Sequence, residues 1–221
     1  AGGPVAGGPV AGGPVAGGPV AGGTVAGGTV EFARAPVGSG TGVSPNADTG
    51  YLYALVTPPG PGQVVVIRGK APTVSRGSRP APWPAPGIDT RYWSMCDYLE
   101  IAHTPLVVND LRGGRVDYGC RHDSQAALDR RGYYTFVVGT EAQRAAIDRI
   151  PGVTFLPFSS TQPSTLHVLL LRNMLVNPGF AQAIQNVPAN GRPAVAERVM
   201  GPYYPRATLC PLTALTAATP T

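Results

Sequence analysis

Apolar and polar residues alternate with a period of two through most of the chain's second half, and this pattern predicts strands. Tyr51–Val56 alternates and is rich in aromatic residues, while Gln63–Arg68 carries Val64, Val65, Val66 and Ile67 in a row. A β-branched run of that kind suits a strand covered on both faces. Arg91–Glu100 sets Tyr92, Ser94, Cys96 and Tyr98 on one face and Trp93, Met95 and Asp97 on the other. Pro105–Asn109 and Val116–Cys120 flank Arg112-Gly113-Gly114 as a hairpin, and Tyr133–Val138, Val153–Leu156 and Thr165–Arg172 read as further strands. The period changes to that of a helix after Thr140, where Thr140 and Gln143 have capping-box spacing. Asn177-Pro178 predicts a short helix over Gly179–Asn186, and Pro193–Met200 another that stops at Gly201-Pro202. Arg76–Ile88 holds too many prolines for a ladder and is expected as a surface loop. About eight strands and three short helices, without alternating β-α-β units, predict a mainly β chain. The expected fold is a single β-sandwich or jelly-roll-like domain over residues 44–206.

The pattern vanishes at the N-terminus. Residues 1–30 repeat AGGPV four times and AGGTV twice, with no charge, no aromatic ring and nothing larger than valine. Gly-Gly pairs make ordering costly, and proline fixes φ and removes a donor, so the local expectation is polyproline-II-like or turn-rich chain. A period of five excludes collagen, which needs glycine at every third position. The repeat is either a flexible stalk or an assembly arm. Glycines such as Gly2, Gly3, Gly7 and Gly8 allow close backbone approach to a neighbouring subunit, while Pro4, Val5, Pro9 and Val10 supply the side chains. Fully extended, the arm spans about 90 Å. Residues 31–43 are read as a linker, with Glu31–Thr41 a polar connector broken by glycine and proline and structure starting at Ser44. Residues 207–221 are read as a Pro/Thr-rich tail.

Composition narrows the classes. The excess of glycine and proline, 30 and 25 residues in all, comes partly from the array and partly from the stretch Arg79–Pro86, and the chain without its array keeps about 190 residues, enough for one good domain or two small ones. The net charge of +5 rests on scattered arginines with Lys70 the single lysine, a distribution that lacks the basic stripe of a nucleic-acid binder. No apolar run approaches the ~20 residues of a membrane-spanning helix. A chain opening at Ala1 is read as one from which a signal peptide has been removed, or as a trimmed piece. Cys96, Cys120 and Cys210 show no metal or haem spacing. Cys96 and Cys120 fall in adjacent predicted strands and are expected to pair, closing a loop of about 25 residues and adding ~3 kcal/mol; Cys210 remains free or bridges subunits.

Candidate chemistry is thin. His167 lies inside an apolar strand and reads as a packed core histidine. His103, His122 and Asp123 form a generic ligand set, and Cys120 with His122 a notional nucleophile and base that a disulfide would abolish. Asn46 and Asp48 fit local turn hydrogen bonds better than a cation site. Tyr51, Tyr53, Tyr92, Trp93, Tyr98, Tyr133 and Tyr134 sit mostly at strand spacing, as core or cross-strand pairs, though they also suit a glycan-binding face. Tyr203-Tyr204, between Pro202 and Pro205, is expected to clamp the chain end onto the domain. Thr24 and Thr29, which replace proline in the array, are possible O-glycan sites by composition. No catalytic, cofactor-binding or metal-binding residue is assigned, and no cofactor is expected.

Ser44-Pro45-Asn46-Ala47-Asp48-Thr49, with the aromatic strand and valine run that follow, resembles the PN-x-DT-x-Y opening of a bacterial family of unknown function. Arg91-Tyr92-Trp93-Ser94, Gly132-Tyr133-Tyr134-Thr135, Phe155-Leu156-Pro157 and Leu170-Leu171-Arg172 resemble the YWS, DG-x-YT, WLP and LR landmarks of its companion domain. With its YWS-x-C and LRNML segments, the stretch Ser44–Arg206 is similar to uncharacterised exported actinobacterial and proteobacterial proteins. The resemblance implies a β-sandwich, jelly-roll-like fold and export, and it brings no activity. The array lies outside it, and Phe155 stands where the pattern has tryptophan. Together these readings lead to an expected function. An exported structural protein self-assembles head-to-tail into an extracellular filament or surface polymer through its arm. The alternative is a monomeric exported ligand-binding or enzymatic β domain on a flexible stalk.

Overall fold

A computed structural model describes residues 28–34, 48–75, 82–102, 104–189 and 191–217. The strands are β1 (Thr29–Val30), β2 (Ala33–Arg34), β3 (Thr49–Val56), β4 (Gln63–Lys70), β5 (Thr90–Leu99), β6 (Val108–Leu111), β7 (Arg115–Tyr118), β8 (Cys120–His122), β9 (Tyr133–Gly139), β10 (Thr154–Pro157), β11 (His167–Val176) and β12 (Arg206–Pro211). Three short helices join them: α1 (Glu141–Ile147), α2 (Pro193–Met200) and α3 (Leu212–Ala217). One five-stranded sheet runs β1-β12-β4-β9-β10, a second runs β2-β3-β11-β5-β8, and β6-β7 is a separate ribbon. The two large sheets form a β-sandwich, which agrees with the mainly β expectation.

Alternation explains the core. Leu52, Ala54 and Val56 of β3, Trp93 and Met95 of β5, and Leu169 and Leu171 of β11 meet Val65, Ile67, Tyr134, Phe136 and Val138 of the first sheet in one buried cluster. Trp93 stacks on Tyr134 at 5.3 Å between ring centroids, and Tyr134 touches Phe136 at 5.1 Å. The first sheet is also covered outside. There Val64, Val137 and Phe155 pack with Ile147 of α1, and with Leu212 and Leu215 of α3. Two-sided burial is what the valine run of β4 required.

Several predicted elements change. Thr140 caps α1 as expected, its N–H donating to Gln143 Oε1 at 2.8 Å. Yet β9, α1 and β10 make a parallel β-α-β unit, Thr154 pairing with Phe136, which the sequence pattern did not suggest. The second hairpin segment splits into β7 and β8 at Gly119, where three backbones converge. A Cβ there would lie 2.8 Å from Val107 Cβ and 3.2 Å from the Asp97 carbonyl oxygen. The helix predicted over Gly179–Asn186 shrinks to a 3-10 turn at Ile184–Asn186. Asn177 Oδ1 instead accepts the Gly179 N–H at 3.0 Å and holds the chain in a side-chain-closed turn.

Both ends of the predicted domain move outward. Residues 31–34 are not a connector, because Phe32 is wholly buried and β2 pairs with β3. Residues 207–211 are not a loose tail, because β12 lies between β1 and β4 and pairs antiparallel with each. Its sequence holds no β-branched run or aromatic residue, and its ladder partners come from distant parts of the chain. Ala207 of β12 is 2% exposed in the inter-sheet core. An Ala207→Asp substitution is therefore expected to destabilise the fold by about 3 kcal/mol or more, read as a lower urea midpoint with an unchanged slope.

Candidate functional site: the root of the repeat array

The last repeat of the array enters the sandwich directly. Gly28 has φ +82°, a left-handed turn that glycine adopts without strain, and its carbonyl accepts the Leu209 N–H at 2.6 Å. Thr29 and Val30 then pair with Thr208 and Ala207 as the edge strand of the first sheet. Val30 and Phe32 are 1% and 0% exposed. Ala33 and Arg34 continue as the edge strand of the second sheet. Seven residues thus cross from one sheet to the other and close that side of the sandwich.

Three interactions fasten the crossing. Tyr204 Oη accepts the Phe32 N–H and donates to the Phe32 carbonyl, both at 2.9 Å. Burial pushes the Tyr204 phenol up to about 12, so it stays a neutral donor at every physiological pH. The Arg34 N–H donates to the Gly191 carbonyl at 3.1 Å. Arg34 Nη1 donates to the carbonyls of Gln185, at 2.9 Å, and Val187. These carbonyls carry partial negative charge at the end of the 3-10 turn, which suits a partly desolvated cation. Tyr204 was expected to clamp the chain end; it clamps the array's root instead.

The other expected residues scatter. Gly2, Gly3, Pro4, Val5, Gly7, Gly8, Pro9, Val10, Thr24, Asn46 and His103 lie outside the described residues, while Thr29 is exposed on β1. Cys96 and Cys120 are disulfide-bonded across β5 and β8, where they are direct register partners. The bond removes Cys120 as a nucleophile beside His122. His122 Nδ1 instead contacts the Ser124 hydroxyl at 3.1 Å, and its ring stacks on Tyr92. Cys210 is free and half-buried beneath α3, with its thiol pKa raised by burial. The aromatic set divides. Trp93 and Tyr134 fill the inter-sheet core, Tyr53 packs outside the second sheet with Val168 and Leu170, and Tyr133 carries the Arg68 guanidinium at 5.0 Å. Among the described residues no three His, Cys, Asp or Glu side chains converge as metal ligands.

His167 is a core histidine, held by a partner the sequence did not suggest. Its Nδ1 lies 2.7 Å from Asp97 Oδ2, both side chains are wholly buried, and the Phe158 ring meets the imidazole edge-on. The pair sits beneath the Gly119 knot. There the Asp97 N–H donates to the Gly119 carbonyl at 2.6 Å, and the Asp97 carbonyl accepts the Val107 N–H at 3.0 Å. Burial, opposed by the His167 contact, pushes the Asp97 carboxyl up to about 6. Nearby, Asp117 accepts hydrogen bonds from Arg121 and Arg144, and Arg144 also binds Glu141 at 2.7 Å. Burial of Asp117 opposes its ionisation, yet the two arginines hold its carboxyl below the usual range. This cluster ties the β6–β7 ribbon to α1.

No protein-family model matches the chain, and no curated protein matches it. Among solved structures, the chain is similar to an uncharacterised protein from Burkholderia cenocepacia at 13% identity and a TM-score of 0.48, over 84% of this chain and 36% of that one. It is also similar to the VPA0106 protein from Vibrio parahaemolyticus at 18% identity and a TM-score of 0.41, over 79% of this chain and 33% of that one. The chain therefore spans about a third of the length of each.

Two outcomes follow from this geometry. Phe32→Ala is expected to cost about 3–5 kcal/mol by emptying a closed core position, and Tyr204→Phe about 1–3 kcal/mol by leaving the Phe32 N–H and carbonyl unpaired. Urea unfolding of the two variants measures both. For Asp97, the folded protein holds the proton more firmly than the unfolded chain. Its stabilising contribution is complete below 3.8 and is lost as the pH rises through about 6. The stability of the native sequence, measured relative to Asp97→Asn by urea titration, should fall across that interval and level off above it.

Proposed function

We propose that this chain is an exported structural protein that self-assembles into an extracellular filament or surface polymer, its Gly/Pro array docking head-to-tail on neighbouring subunits. The observation that carries this reading is the root. The array passes into an edge strand without an intervening connector, plugged by Val30 and Phe32 and clamped by Tyr204. A stalk whose only task is to space a domain has no need of a rigid base. An arm that delivers itself to a neighbour gains from a fixed starting direction, because less orientational freedom is lost on docking. The 27 residues ahead of Gly28 reach about 80 Å when extended. Glycine-rich backbone of this composition offers N–H and C=O groups suited to pairing with another chain. A head-to-tail contact that does not close a ring propagates as a fibre.

Export is part of the same proposal. The Cys96–Cys120 disulfide suits an oxidising compartment, and no described helix is long and apolar enough to cross a membrane. Electron microscopy and sedimentation of the purified chain test the assembly. The full chain is expected to form filaments, and the chain starting at Gly27 to remain monomeric with an unchanged melting temperature. Filaments formed by the shortened chain remove the arm from the mechanism. A solitary full-length particle whose array is quickly cleaved by protease favours the stalked monomer instead.

A further inference from the structure

The β6–β7 ribbon is patterned inside out. Asn109 and Asp117 are direct cross-strand partners, and both face the body. Asn109 is wholly buried; its Nδ2 donates to the Phe158 carbonyl at 2.8 Å, and its Oδ1 accepts the Ser160 N–H at 2.9 Å. Asp117 pairs with Arg121 and Arg144. The flanking pairs, Val108 with Tyr118 and Asp110 with Val116, therefore point the other way. On that outer face Val108, Val116 and Tyr118 are 42%, 43% and 58% exposed. An ordinary half-buried ribbon does the reverse. Apolar side chains grouped on an exposed face, unlike scattered ones, mark a contact surface. We infer that this face is the dock for residues 1–27 of a neighbouring copy, its Gly/Pro array. The inference rests on the assembly reading above and supplies the second surface of that contact.

Position and size select this occupant. β1 and β2, joined through Glu31 and Phe32, are the outermost strands of the two sheets on one side, and β10 and β8 are outermost on the other. The ribbon runs into β8 through Gly119 and is held by Phe158, which follows β10. The array's root and the dock thus lie on opposite edges, about 20 Å apart across five strands. A reach of about 80 Å carries an array from its own edge to a neighbour's ribbon. A docked pair keeps one free array and one free dock, so the contact can repeat. Three side chains fall far short of the roughly 1,200 Å² that two folded bodies bury in a stable contact. They suit an extended chain, which needs a strip rather than a patch.

The chemistry of the two surfaces matches. The array carries no charge and offers a Pro-Val pair in each AGGPV repeat, as at Pro4-Val5 and Pro9-Val10. In a polyproline-II chain, with three residues per turn, two adjacent side chains form one apolar wedge, and aromatic side chains are the platforms on which proline rings dock. Tyr118 supplies the platform, and Val108 and Val116 extend it. The Gly-Gly pair of each repeat lets the backbone come close. Strand addition at the ribbon's edge fits less well. In a strand, a proline at every fifth position turns its missing N–H toward the ladder in one repeat and away from it in the next, because five is odd. Docking through side chains on the ribbon's face is free of that conflict.

Photocrosslinking tests the contact in the full chain. p-Benzoylphenylalanine takes the place of Asp110, an exposed position on the same face. Isotopically light and heavy chains are mixed while dilute, concentrated to assemble, and irradiated. After reduction and trypsin, mass spectrometry is expected to find fragment 1–34 joined within residues 1–27 to fragment 92–112, with mixed light–heavy products. Separately, Tyr118→Ser combined with Val116→Asn should raise the concentration needed for filaments about tenfold or more, with melting unchanged. Crosslinks confined to chains of one isotope overturn the inference, since the array then covers its own ribbon. Fragment 92–112 joined to its own copy overturns it in favour of a ribbon pair. Filaments that lack the crosslink, or that form unchanged with the double substitution, overturn it and leave the assembly reading standing with its dock elsewhere. Mixed crosslinks in particles that never lengthen keep the dock and remove the filament. A solitary particle without mixed crosslinks removes both.

Discussion

Phe32 is the residue on which the architecture turns. It stands midway along the one described segment that belongs to both sheets, it is wholly buried, and its backbone is held on both sides by one phenol. A sandwich needs its two sheets kept in register with each other, and a strand that changes sheets is a direct way to do so. Here the change occurs within a few residues of the repeat array. A composition of glycine, proline and small apolar residues therefore adjoins one of the chain's most constrained positions.

That crossing depends on the other end of the chain. β1 pairs with β12, β12 pairs with β4, and Tyr204, which clamps Phe32, directly precedes β12. The array's root cannot form until the C-terminal segment has returned to the first sheet. Contacts this distant in sequence are slow to make and are rewarded late in folding. The dependence also means that the direction in which the array leaves the body is set by the finished fold.

The opposite end of the sandwich is organised by polar groups. Asp97 and His167 face each other where an apolar pair would be simpler, and Asp97 also anchors the backbone knot at Gly119. The adjacent Asp117–Arg144–Glu141 cluster fastens the β6–β7 ribbon to α1. These groups fix where the ribbon sits, which hydrophobic packing alone leaves free: Val108, Val116 and Tyr118 on that ribbon stay exposed. Buried polar pairs are costly unless satisfied, so they discriminate among packings more than they stabilise any one of them.

The chain's own residues determined whatever depends on neighbours a few positions away. The valine run of β4, the alternation in β3, β5 and β9, the Gly113-Gly114 turn and the Thr140–Gln143 cap were all legible, because their causes are local. The Cys96–Cys120 pair was legible too, since both cysteines lie on strands that had to be adjacent. Tertiary structure alone decided the rest. Arg206–Pro211 becomes a central strand because β1 and β4 offer a ladder on each side, and nothing in its six residues announces it. Phe32 becomes core because Tyr204 and two sheets close over it, although its neighbours in sequence are polar or small. Asp97 meets His167 only because β5 and β11 pair side by side. Such a meeting is a property of three-dimensional neighbours, and a string of residues does not record it.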